Sequence, residues 1–325
     1  MKKLIILLVV LVLTGCQVSR TNTEVITVVS EDAGNSSVVF CPREDCSGEL
    51  SSFILSAEEY VYCAFFDLDL EDVIDALQEK SKSIDVKLVV DKDNYEFVEN
   101  LSFAKHDTRS AFMHNKFCVK DDLWISSGSF NPTDRGANYN NNNLIFMESK
   151  YLASNYKDEF RELWNGEFGK GGKVRYPIIY IGDKKVKNYF CPEDNCGEKI
   201  KQELKKAKES VYFMTFSFTH DGIANTLLIK NEDIEIKGIF EKRGSGTEYS
   251  KFNVFDYQGA DVRKDNNSYA MHHKVFIIDE KTVITGSFNP SKNADTNNDE
   301  NILIIYDEII ASRFLEEFDY VWNYP

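Results

Sequence analysis

The sequence predicts an α/β protein made of two homologous lobes, each a mixed β-sheet flanked by helices, related by a pseudo-two-fold axis. Three observations support this fold class. The length of 325 residues allows roughly two domains, sequence blocks recur in order along the chain, and strand-like and helix-like segments alternate within each copy. Strand–helix–strand order of this kind is typical of a mixed sheet covered by helices.

Internal repetition is the clearest of these observations. The block CPREDC at 41–46 returns as CPEDNC at 191–196, an offset of 150 residues. MHNKFCVKD at 113–121 returns as MHHKVFIID at 271–279, an offset of 158, so eight residues were inserted or deleted between the blocks. A repeat of this length is too long for a solenoid unit, and each copy is therefore expected to fold as a lobe.

Within the first copy, apolar runs and helical spacing predict the elements in order. Residues 61–68 are expected to form a strand, residues 72–80 a helix and residues 85–90 a second strand. Three further strands and a closing helix are expected at 116–119, 123–126, 143–146 and 152–164.

The first sixteen residues have the pattern of an export signal. Two lysines precede ten apolar residues at 4–13, a run shorter than the roughly 18 residues of a membrane span. The following Leu-Thr-Gly-Cys resembles the lipobox of bacterial lipoproteins, which implies that Cys16 is lipidated and that the protein is exported and anchored to the cell membrane. An ordinary secretory cleavage site near Cys16 is the alternative.

The remaining chain divides into a tether and two lobes. Residues 17–37 are polar and are expected to join the anchor to the folded body, with a strand at 25–29 as the alternative. The first lobe is then expected at residues 38–168 and the second at 169–325.

Cysteine spacing predicts covalent cross-links. In an exported protein, closely spaced pairs favour disulfides that close small loops, here Cys41 with Cys46 and Cys191 with Cys196. A zinc site is the weaker interpretation, because neither pair has a histidine nearby and no CxxC spacing occurs. Cys63 and Cys118 lie inside apolar runs and are expected to be buried free thiols.

Composition and charge limit the classes of function. The chain is 42% hydrophobic and 28% charged, which excludes a disordered or a polytopic membrane protein. Its 38 basic and 53 acidic residues give a net charge of −15, and removal of residues 1–15 with their two lysines would make it −17. This charge repels a polyanion such as nucleic acid unless basic residues cluster. The most basic stretch, 170–189, is expected to be a solvated linker between the lobes.

One six-residue pattern, HxK(x)4D(x)6GSxN, occurs once in each copy with identical spacing. Its recurrence is far beyond chance at average composition. The first copy contains His114, Lys116, Asp121, Gly128, Ser129 and Asn131, and the second contains His272, Lys274, Asp279, Gly286, Ser287 and Asn289.

These residue types suit the hydrolysis of a phosphodiester. The phosphoryl group is anionic, and Lys116 and Lys274 would stabilise the charge that its oxygens gain in the transition state. Asn131 and Asn289 would donate amide hydrogens to the same oxygens. One histidine can be a neutral nucleophile while the other, protonated, acts as general acid. We expect this set to act without a metal or other cofactor.

The pattern resembles the HKD signature of the phospholipase D superfamily, and the resemblance extends over residues 38–325. It implies a metal-independent phosphodiesterase that acts through a covalent phosphohistidine on a phospholipid or nucleic-acid substrate. Because both motifs lie in one chain, we expect a monomer whose lobes share one site.

The resemblance also implies a role for each histidine. Members of the superfamily often carry an acidic residue after the motif, where it supports the histidine of the opposite lobe. The second copy has Glu300 at this position, 28 residues after its histidine, whereas the first copy has Asn142. A carboxylate orients an imidazole and makes it more basic. Carried over to this chain, His114 is the nucleophile with Glu300 behind it, and His272 is the general acid beside Asn142.

Other polar residues are expected to support structure. Ser129 and Ser287 are interpreted as hydroxyl supports, because neither lies in a GxSxG elbow. Asp121 and Asp279 fall near a strand end and are expected to fix local structure. The three other histidines are expected to be core or structural residues, since none faces the predicted site; they are His106, His220 and His273.

Three functions remain open. Hydrolysis of a phospholipid headgroup ester is favoured, because a lipid anchor would hold the site at a bilayer and the acidic charge disfavours nucleic acid. A nuclease and an inactive binding protein are the alternatives, the latter supported only by Asn142. Four phenylalanines that could contact lipid are placed in strands, where core packing is the favoured role; they are Phe65, Phe66, Phe216 and Phe218.

Overall fold

In the computed structural model of the chain, residues 26–324 are described. The predicted signal peptide, the predicted lipidation residue Cys16 and the first part of the predicted tether lie outside the described residues. No helix within the described range is long and apolar enough to cross a membrane.

The first lobe contains a seven-stranded mixed sheet in the order β2-β8-β7-β6-β3-β4-β5. After β1 (Val28–Glu31), its strands are β2 (Ser36–Cys41), β3 (Tyr60–Phe65), β4 (Asp85–Val90), β5 (Ala104–His106), β6 (Lys116–Lys120), β7 (Trp124–Gly128) and β8 (Asn142–Glu148). Its helices are α1 (Cys46–Leu55), α2 (Glu71–Ser81), α3 (Asp134–Asn138) and α4 (Lys150–Trp164).

The second lobe repeats this arrangement and carries two additional strands at one edge. Its strands are β9 (Ile178–Ile181), β10 (Lys184–Cys191), β11 (Ser210–Thr215), β12 (Glu235–Phe240), β13 (Asp261–Lys264), β14 (Lys274–Ile278), β15 (Thr282–Gly286) and β16 (Glu300–Tyr306). Its helices are α5 (Cys196–Leu204), α6 (Asp221–Lys230), α7 (Phe252–Tyr257), α8 (Lys292–Thr296) and α9 (Glu308–Trp322). The sheet order is β1-β9-β10-β16-β15-β14-β11-β12-β13.

The predicted α/β class and the element order of each copy are confirmed. In both lobes the crossover through a helix makes the first two core strands parallel, β3 with β4 and β11 with β12. The motif strands β6 and β14 then return antiparallel to β3 and β11. The eight-residue difference between the copies falls between β12 and β14, where the second lobe carries α7.

The core has layers of helix and sheet that place the two lobes face to face. Helices α4 and α9 contact strands of both sheets, and their apolar residues share one core cluster with the inner faces of those sheets. Helices α1 and α2 cover the outer face of the first sheet, and α5 and α6 cover the outer face of the second. The shared central layer fixes the lobes relative to each other.

Two sequence expectations about the N-terminal and connecting segments are wrong. Strand β1 lies within the predicted tether and overlaps the strand at 25–29 that was the alternative there; it pairs in parallel with β9 of the second lobe, and Val29 packs against the core. The predicted solvated linker 170–189 contains β9 and most of β10. Three of its cations are paired with carboxylates over short distances, Arg175 with Asp158 at 2.8 Å, Lys184 with Asp307 at 2.6 Å and Lys187 with Glu203 at 2.5 Å.

The two predicted disulfides are present, Cys41–Cys46 and Cys191–Cys196. The expectation of free thiols at Cys63 and Cys118 is wrong, because a third disulfide joins them. These residues lie directly opposite each other on β3 and β6, with Cα atoms 4.0 Å apart. Apolar periodicity identified both strands but could not show that this register brings the two sulfurs together.

Candidate active site

The two motif histidines lie where the lobes meet. His114 and His272 immediately precede β6 and β14, and both are buried. The backbone N–H of His114 donates to the carbonyl of Asp299 at 2.9 Å, and that of His272 donates to the carbonyl of Asn141 at 2.9 Å. Each histidine is therefore held by the backbone of the opposite lobe, and the two motifs form one site.

Side-chain support is also exchanged between the lobes. Nδ1 of His114 lies 2.8 Å from Oε2 of Glu300, and Nδ1 of His272 lies 2.9 Å from Oδ1 of Asn142. Both partners accept a hydrogen bond from an Nδ1–H, which leaves the lone pair of a neutral imidazole on Nε2. The crossed arrangement expected for Glu300 and Asn142 is present in the geometry.

The two motif lysines are buried beside the histidines. Nζ of Lys116 donates to the carbonyl of His114, and Nζ of Lys274 donates to the carbonyl of His272, each at 2.7 Å. Among the described residues neither ammonium has a carboxylate within ion-pair distance. The site thus concentrates positive charge where an anionic group would be bound.

An aromatic ring covers each histidine–lysine pair. Phe66 packs edge-to-face on His114 with ring centroids 4.9 Å apart, and Phe216 packs on His272 at 4.7 Å. Each ring centroid also lies 5.1 Å from the neighbouring lysine Nζ. The expectation that these phenylalanines and Phe218 lie within strands is wrong, because β3 and β11 end before them; Phe65 and Phe218 are buried in the core.

Asn131 and Asn289 carry the same unusual feature in both lobes. The Oδ1 atom of each is buried without a hydrogen-bond partner. An unpaired buried polar group costs about 1–3 kcal/mol. Both unpaired atoms are acceptors, so a ligand that satisfied them would have to bring a hydrogen-bond donor, whereas phosphate oxygens could pair only with the Nδ2–H groups of these amides.

The other motif residues hold this geometry in place. Oγ of Ser287 donates to Oε2 of Glu300 at 2.6 Å, and Oγ of Ser129 donates to Oδ1 of Asn142 at 3.1 Å. The carboxylates of Asp121 and Asp279 accept backbone N–H groups that lead into β3 and β11. The glycine before each serine has φ near +140°, and a Cβ there would lie 2.3 Å from a carbonyl oxygen on the neighbouring strand; these are Gly128 and Gly286.

Burial and mutual repulsion shift the pKa values of the charged groups. Burial, with Lys116 and Lys274 nearby, holds the pKa of both histidines well below the usual range. Burial lowers the pKa of Lys116 to about 7, and burial together with the nearby Lys116 lowers that of Lys274 well below its ordinary value. Burial raises the pKa of Glu300 to about 8, against the opposing effect of Lys116. A bound phosphodiester anion would favour the charged form of both lysines.

Sequence reasoning missed a second set of buried residues behind the histidines. Behind His114, Ser287 bonds Glu300 and accepts from Asn301, whose amide donates to Asn115 at 2.8 Å. Asn115 in turn donates to Glu159 at 3.2 Å.

The corresponding chain behind His272 has different residues. Ser129 accepts from Asn143, whose amide lies 3.1 Å from Nδ1 of His273. Nε2 of His273 lies 3.1 Å from Glu317, which also pairs with Arg43 at 2.8 Å. Glu159 and Glu317 are 158 residues apart on α4 and α9, so the repeat offset could have identified them.

The remaining histidines lie outside the site. His273 is fully buried on the side away from the lysines, as expected, although it joins the chain behind His272. Nδ1 of His220 accepts from the N–H of Ile223 at the start of α6, and His106 lies in β5. Both have structural positions, as the sequence predicted.

Comparisons with known proteins agree with this geometry. A family model described as "Cardiolipin synthase, PLD-like domain" matches residues 50–164 and 200–322. A phospholipase D from Rickettsia typhi is 32% identical over 145 residues, which cover 44% of this chain and 71% of that protein. A mitochondrial cardiolipin hydrolase from Xenopus laevis is 30% identical over 142 residues, covering 42% and 68%.

A solved structure matches nearly the whole chain. Phosphatidylserine synthase from Haemophilus influenzae Rd KW20 aligns with a TM-score of 0.69 over 87% of this chain and 86% of that protein, at 12% identity. At this identity the match concerns the fold alone. It covers both lobes in one alignment, in keeping with their packing around the shared central helices.

Proposed function

The chain belongs to the PLD-like domain family and is a phosphodiesterase of the phospholipase D superfamily, and on this premise we propose a specific reaction. The proposed reaction is the hydrolysis of a phospholipid headgroup ester through a covalent phosphohistidine. The observation that carries the proposal is the crossed pairing of His114 with Glu300 and of His272 with Asn142. Two histidines with different partners suit two different roles at one phosphorus atom.

In the first step, Nε2 of His114 attacks phosphorus and forms a P–N bond. The P–O bond to the headgroup alcohol breaks, and protonated His272 gives its Nε2 proton to the leaving oxygen. Lys116 and Lys274 stabilise the charge on the equatorial oxygens, and the amides of Asn131 and Asn289 donate to them. Glu300 accepts the Nδ1–H of His114 and stabilises the positive charge that develops on this imidazole.

In the second step, water replaces the histidine. His272, now neutral, takes a proton from the water as its oxygen attacks phosphorus. The P–N bond breaks, His114 regains its lone pair, and a lipid phosphomonoester leaves. The cycle returns both histidines to their starting states without any redox change.

The electrostatics of the chain favour lipid over nucleic acid as substrate. The net charge is −15, and within the most basic stretch Arg175, Lys184 and Lys187 are each paired with a carboxylate, as described above. A groove for several nucleotides needs extended positive charge along a strand. A lipid headgroup needs only the local cation cluster, and relatives named phospholipase D and cardiolipin hydrolase support the same choice.

Parallel assays test this proposal. The full chain and a His114→Gln variant are incubated with phosphatidylcholine or cardiolipin vesicles and with fluorescent single-stranded DNA, each with and without EDTA. We expect EDTA-insensitive release of lipid phosphomonoester by the wild type only. Cleavage of DNA with intact lipid would replace the proposed substrate, and loss of activity in EDTA would contradict the metal-free mechanism.

We also propose that Cys16 anchors the protein to the outer face of the cell membrane. The support is the lipobox-like sequence before it, which lies outside the described residues. The test is metabolic labelling with a radioactive fatty acid, followed by fractionation. We expect label in the membrane fraction for the wild type and none for Cys16→Ser; a labelled Cys16→Ser protein would contradict the proposal.

A further inference from the structure

A groove on the outer side of the first lobe contains a buried lysine without a carboxylate partner. Lys120 ends β6, four residues beyond Lys116 and therefore roughly 13 Å along the strand from the active site. The residue is 6% exposed, and its Nζ donates to Oγ of Ser56 and lies 4.5 Å from the ring centroid of Phe53. Among the described residues no carboxylate oxygen lies within 4 Å of this ammonium.

The groove is large enough for a small organic molecule. Its volume is about 390 Å³. Three aromatic residues and three serines line it, together with Lys120 and Glu49. The aromatic residues are Phe53, Trp124 and Phe146, and the serines are Ser37, Ser52 and Ser56. Ligand sites commonly combine such apolar walls with a few polar groups that fix orientation.

In the corresponding region of the second lobe, a buried lysine is paired with a glutamate of the same lobe. Lys187 corresponds to Ser37, and Glu203 corresponds to Phe53; the residue corresponding to Lys120 is Ile278. Lys187 pairs with Glu203 at 2.5 Å, and Glu203 accepts another hydrogen bond from Tyr306 at 2.7 Å. There the buried cation has its own anion.

The first lobe has its buried cation at a different position of the same region, Lys120 on β6, and has Phe53 where the second lobe has the anion Glu203. Burial lowers the pKa of Lys120, although Asp121 and Glu58 act in the opposite direction from a distance. A buried charge is costly unless it is paired. A bound anion in the groove would supply the partner that Glu203 supplies in the second lobe.

We propose that this groove binds an amphiphilic organic anion, with its phosphate or carboxylate head at Lys120 and its apolar part against Phe53, Trp124 and Phe146. The serine hydroxyls can donate to further oxygens of the head group. The site lies at the opposite end of β6 from His114 and is separate from the catalytic cluster. Its existence does not depend on which phosphodiester the enzyme hydrolyses.

The test follows the indole N–H resonance of Trp124 in the NMR spectrum of the purified full chain, assigned with Trp124→Phe. The probes are phenyl phosphate, benzoate, inorganic phosphate and neutral benzyl alcohol. We expect saturable shifts with phenyl phosphate or benzoate, and at least about tenfold weaker binding of the inorganic ion and the alcohol. The comparison of phenyl phosphate with benzoate identifies the preferred head group.

Three variants make the test specific. Lys120→Met removes the charge at similar volume, and Ser52→Phe fills the groove while keeping the lysine; each should weaken binding at least about tenfold. Lys281→Met, an equal charge change at an exposed position of the second lobe, should bind like the wild type. The proposal is overturned if no probe shifts Trp124 in the wild type, or if both groove variants bind as tightly as Lys281→Met.

Discussion

The two halves of the active site carry the same motif but support it differently. His114 faces a carboxylate, Glu300, at 2.8 Å, whereas His272 faces an amide, Asn142, at 2.9 Å. Serines hold both partners in the same way. Duplication therefore preserved the residues that would contact substrate and allowed the residues behind them to diverge, so that the histidines can take unequal roles.

The same divergence extends into the core of each lobe. Cys63 and Cys118 form a disulfide in the first lobe, and the corresponding residues of the second lobe are Phe213 and Phe276. Their ring centroids are 6.0 Å apart, and Gly238 makes room for Phe213, because a Cβ at 238 would lie 2.0 Å from the ring. The first lobe is cross-linked at a position where the second is packed with aromatic rings.

Replacing each catalytic histidine should separate the two roles most strongly. His114→Gln removes the proposed nucleophile and should lower turnover of every substrate by at least about 10⁴-fold. His272→Gln should lower lipid turnover by about 10²- to 10⁴-fold, yet retain a burst of nitrophenolate from a nitrophenyl phosphodiester, because this leaving group needs no proton. Stopped-flow absorbance measures the burst, and a burst in His114→Gln would exchange the assigned roles.

Removing the disulfides should affect the lobes unequally. The Cys63–Cys118 bond spans a sequence separation of 55, whereas Cys191–Cys196 spans 5. Loop-closure entropy then predicts a loss of about 4 kcal/mol in the free energy of unfolding for Cys63→Ala/Cys118→Ala and about 2 kcal/mol for the shorter pair. Urea unfolding of both double variants provides the comparison, and equal losses would argue against a special role of the cross-link in the first lobe.

The buried glutamates behind the site should respond in opposite directions. Glu317 contacts His273 and pairs with Arg43, whose side chain is 36% exposed, so Glu317→Gln weakens both contacts and should cost about 1–3 kcal/mol at neutral pH. Burial raises the pKa of Glu159 well above its ordinary 4.5. The folded protein therefore holds this proton more tightly than the unfolded chain does. The resulting stabilisation is complete below about pH 4.5 and is lost as the pH rises from there towards the raised pKa.

Glu159→Gln keeps a neutral side chain at every pH. The variant should therefore lose less stability than the wild type between pH 5 and pH 7. The measurement is the free energy of unfolding at both pH values for the wild type and the two glutamate variants. A Glu317→Gln protein as stable as the wild type, or an unchanged pH dependence in Glu159→Gln, would remove the proposed contrast.

A smaller effect should come from the carboxylate that distinguishes the two histidines. Glu300→Gln should lower kcat/KM about 10- to 100-fold, the usual cost of losing a group that orients a reactive one. In the wild type, ionised Glu300 is needed, so activity rises with pH through its pKa of about 8. Charged Lys116 and protonated His272 are also needed, so activity falls as pH rises through the pKa of His272, which burial holds below its ordinary range, and through that of Lys116 at about 7.

The wild-type profile of kcat/KM against pH is therefore expected to rise on the acid side and to fall on the alkaline side, with its maximum below pH 7. Glu300→Gln should lose the rising limb and keep the falling one. Ser129→Ala, which removes the hydroxyl at the corresponding position behind His272, is the matched control and should retain both limbs. An unchanged rising limb in Glu300→Gln would assign that limb to another group.

Much of the fold and the central site could be predicted, because the information was local or repeated. Strand and helix order followed from periodicity, and the motif residues followed from spacing that recurs twice. The crossed pairing of Glu300 with His114 followed from the family resemblance. The hydroxyl roles of Ser129 and Ser287 likewise agree with the structure.

What could not be predicted depends on register and on burial. The Cys63–Cys118 bond requires that two particular residues face each other across β3 and β6. Strand β1 joins a sheet built mainly from the second lobe, a pairing over about 150 residues that local patterns do not encode. The repeat offset pairs Glu159 with Glu317, but both resemble ordinary helix-surface acids in sequence, and their burial depends on the packing of α4 and α9 between two sheets.

The proposed mechanism depends on the assignment of the nucleophile to the lobe whose histidine faces Glu300. It is tested most directly by trapping the phosphoenzyme of the His272→Gln variant with a nitrophenyl phosphodiester and mapping the modified residue by mass spectrometry under alkaline conditions, where a phosphohistidine survives. We expect phosphate on His114 of the His272→Gln variant and no phosphate on the corresponding peptide of His114→Gln. Phosphate on His272 of the wild type, with none on His114, would contradict it.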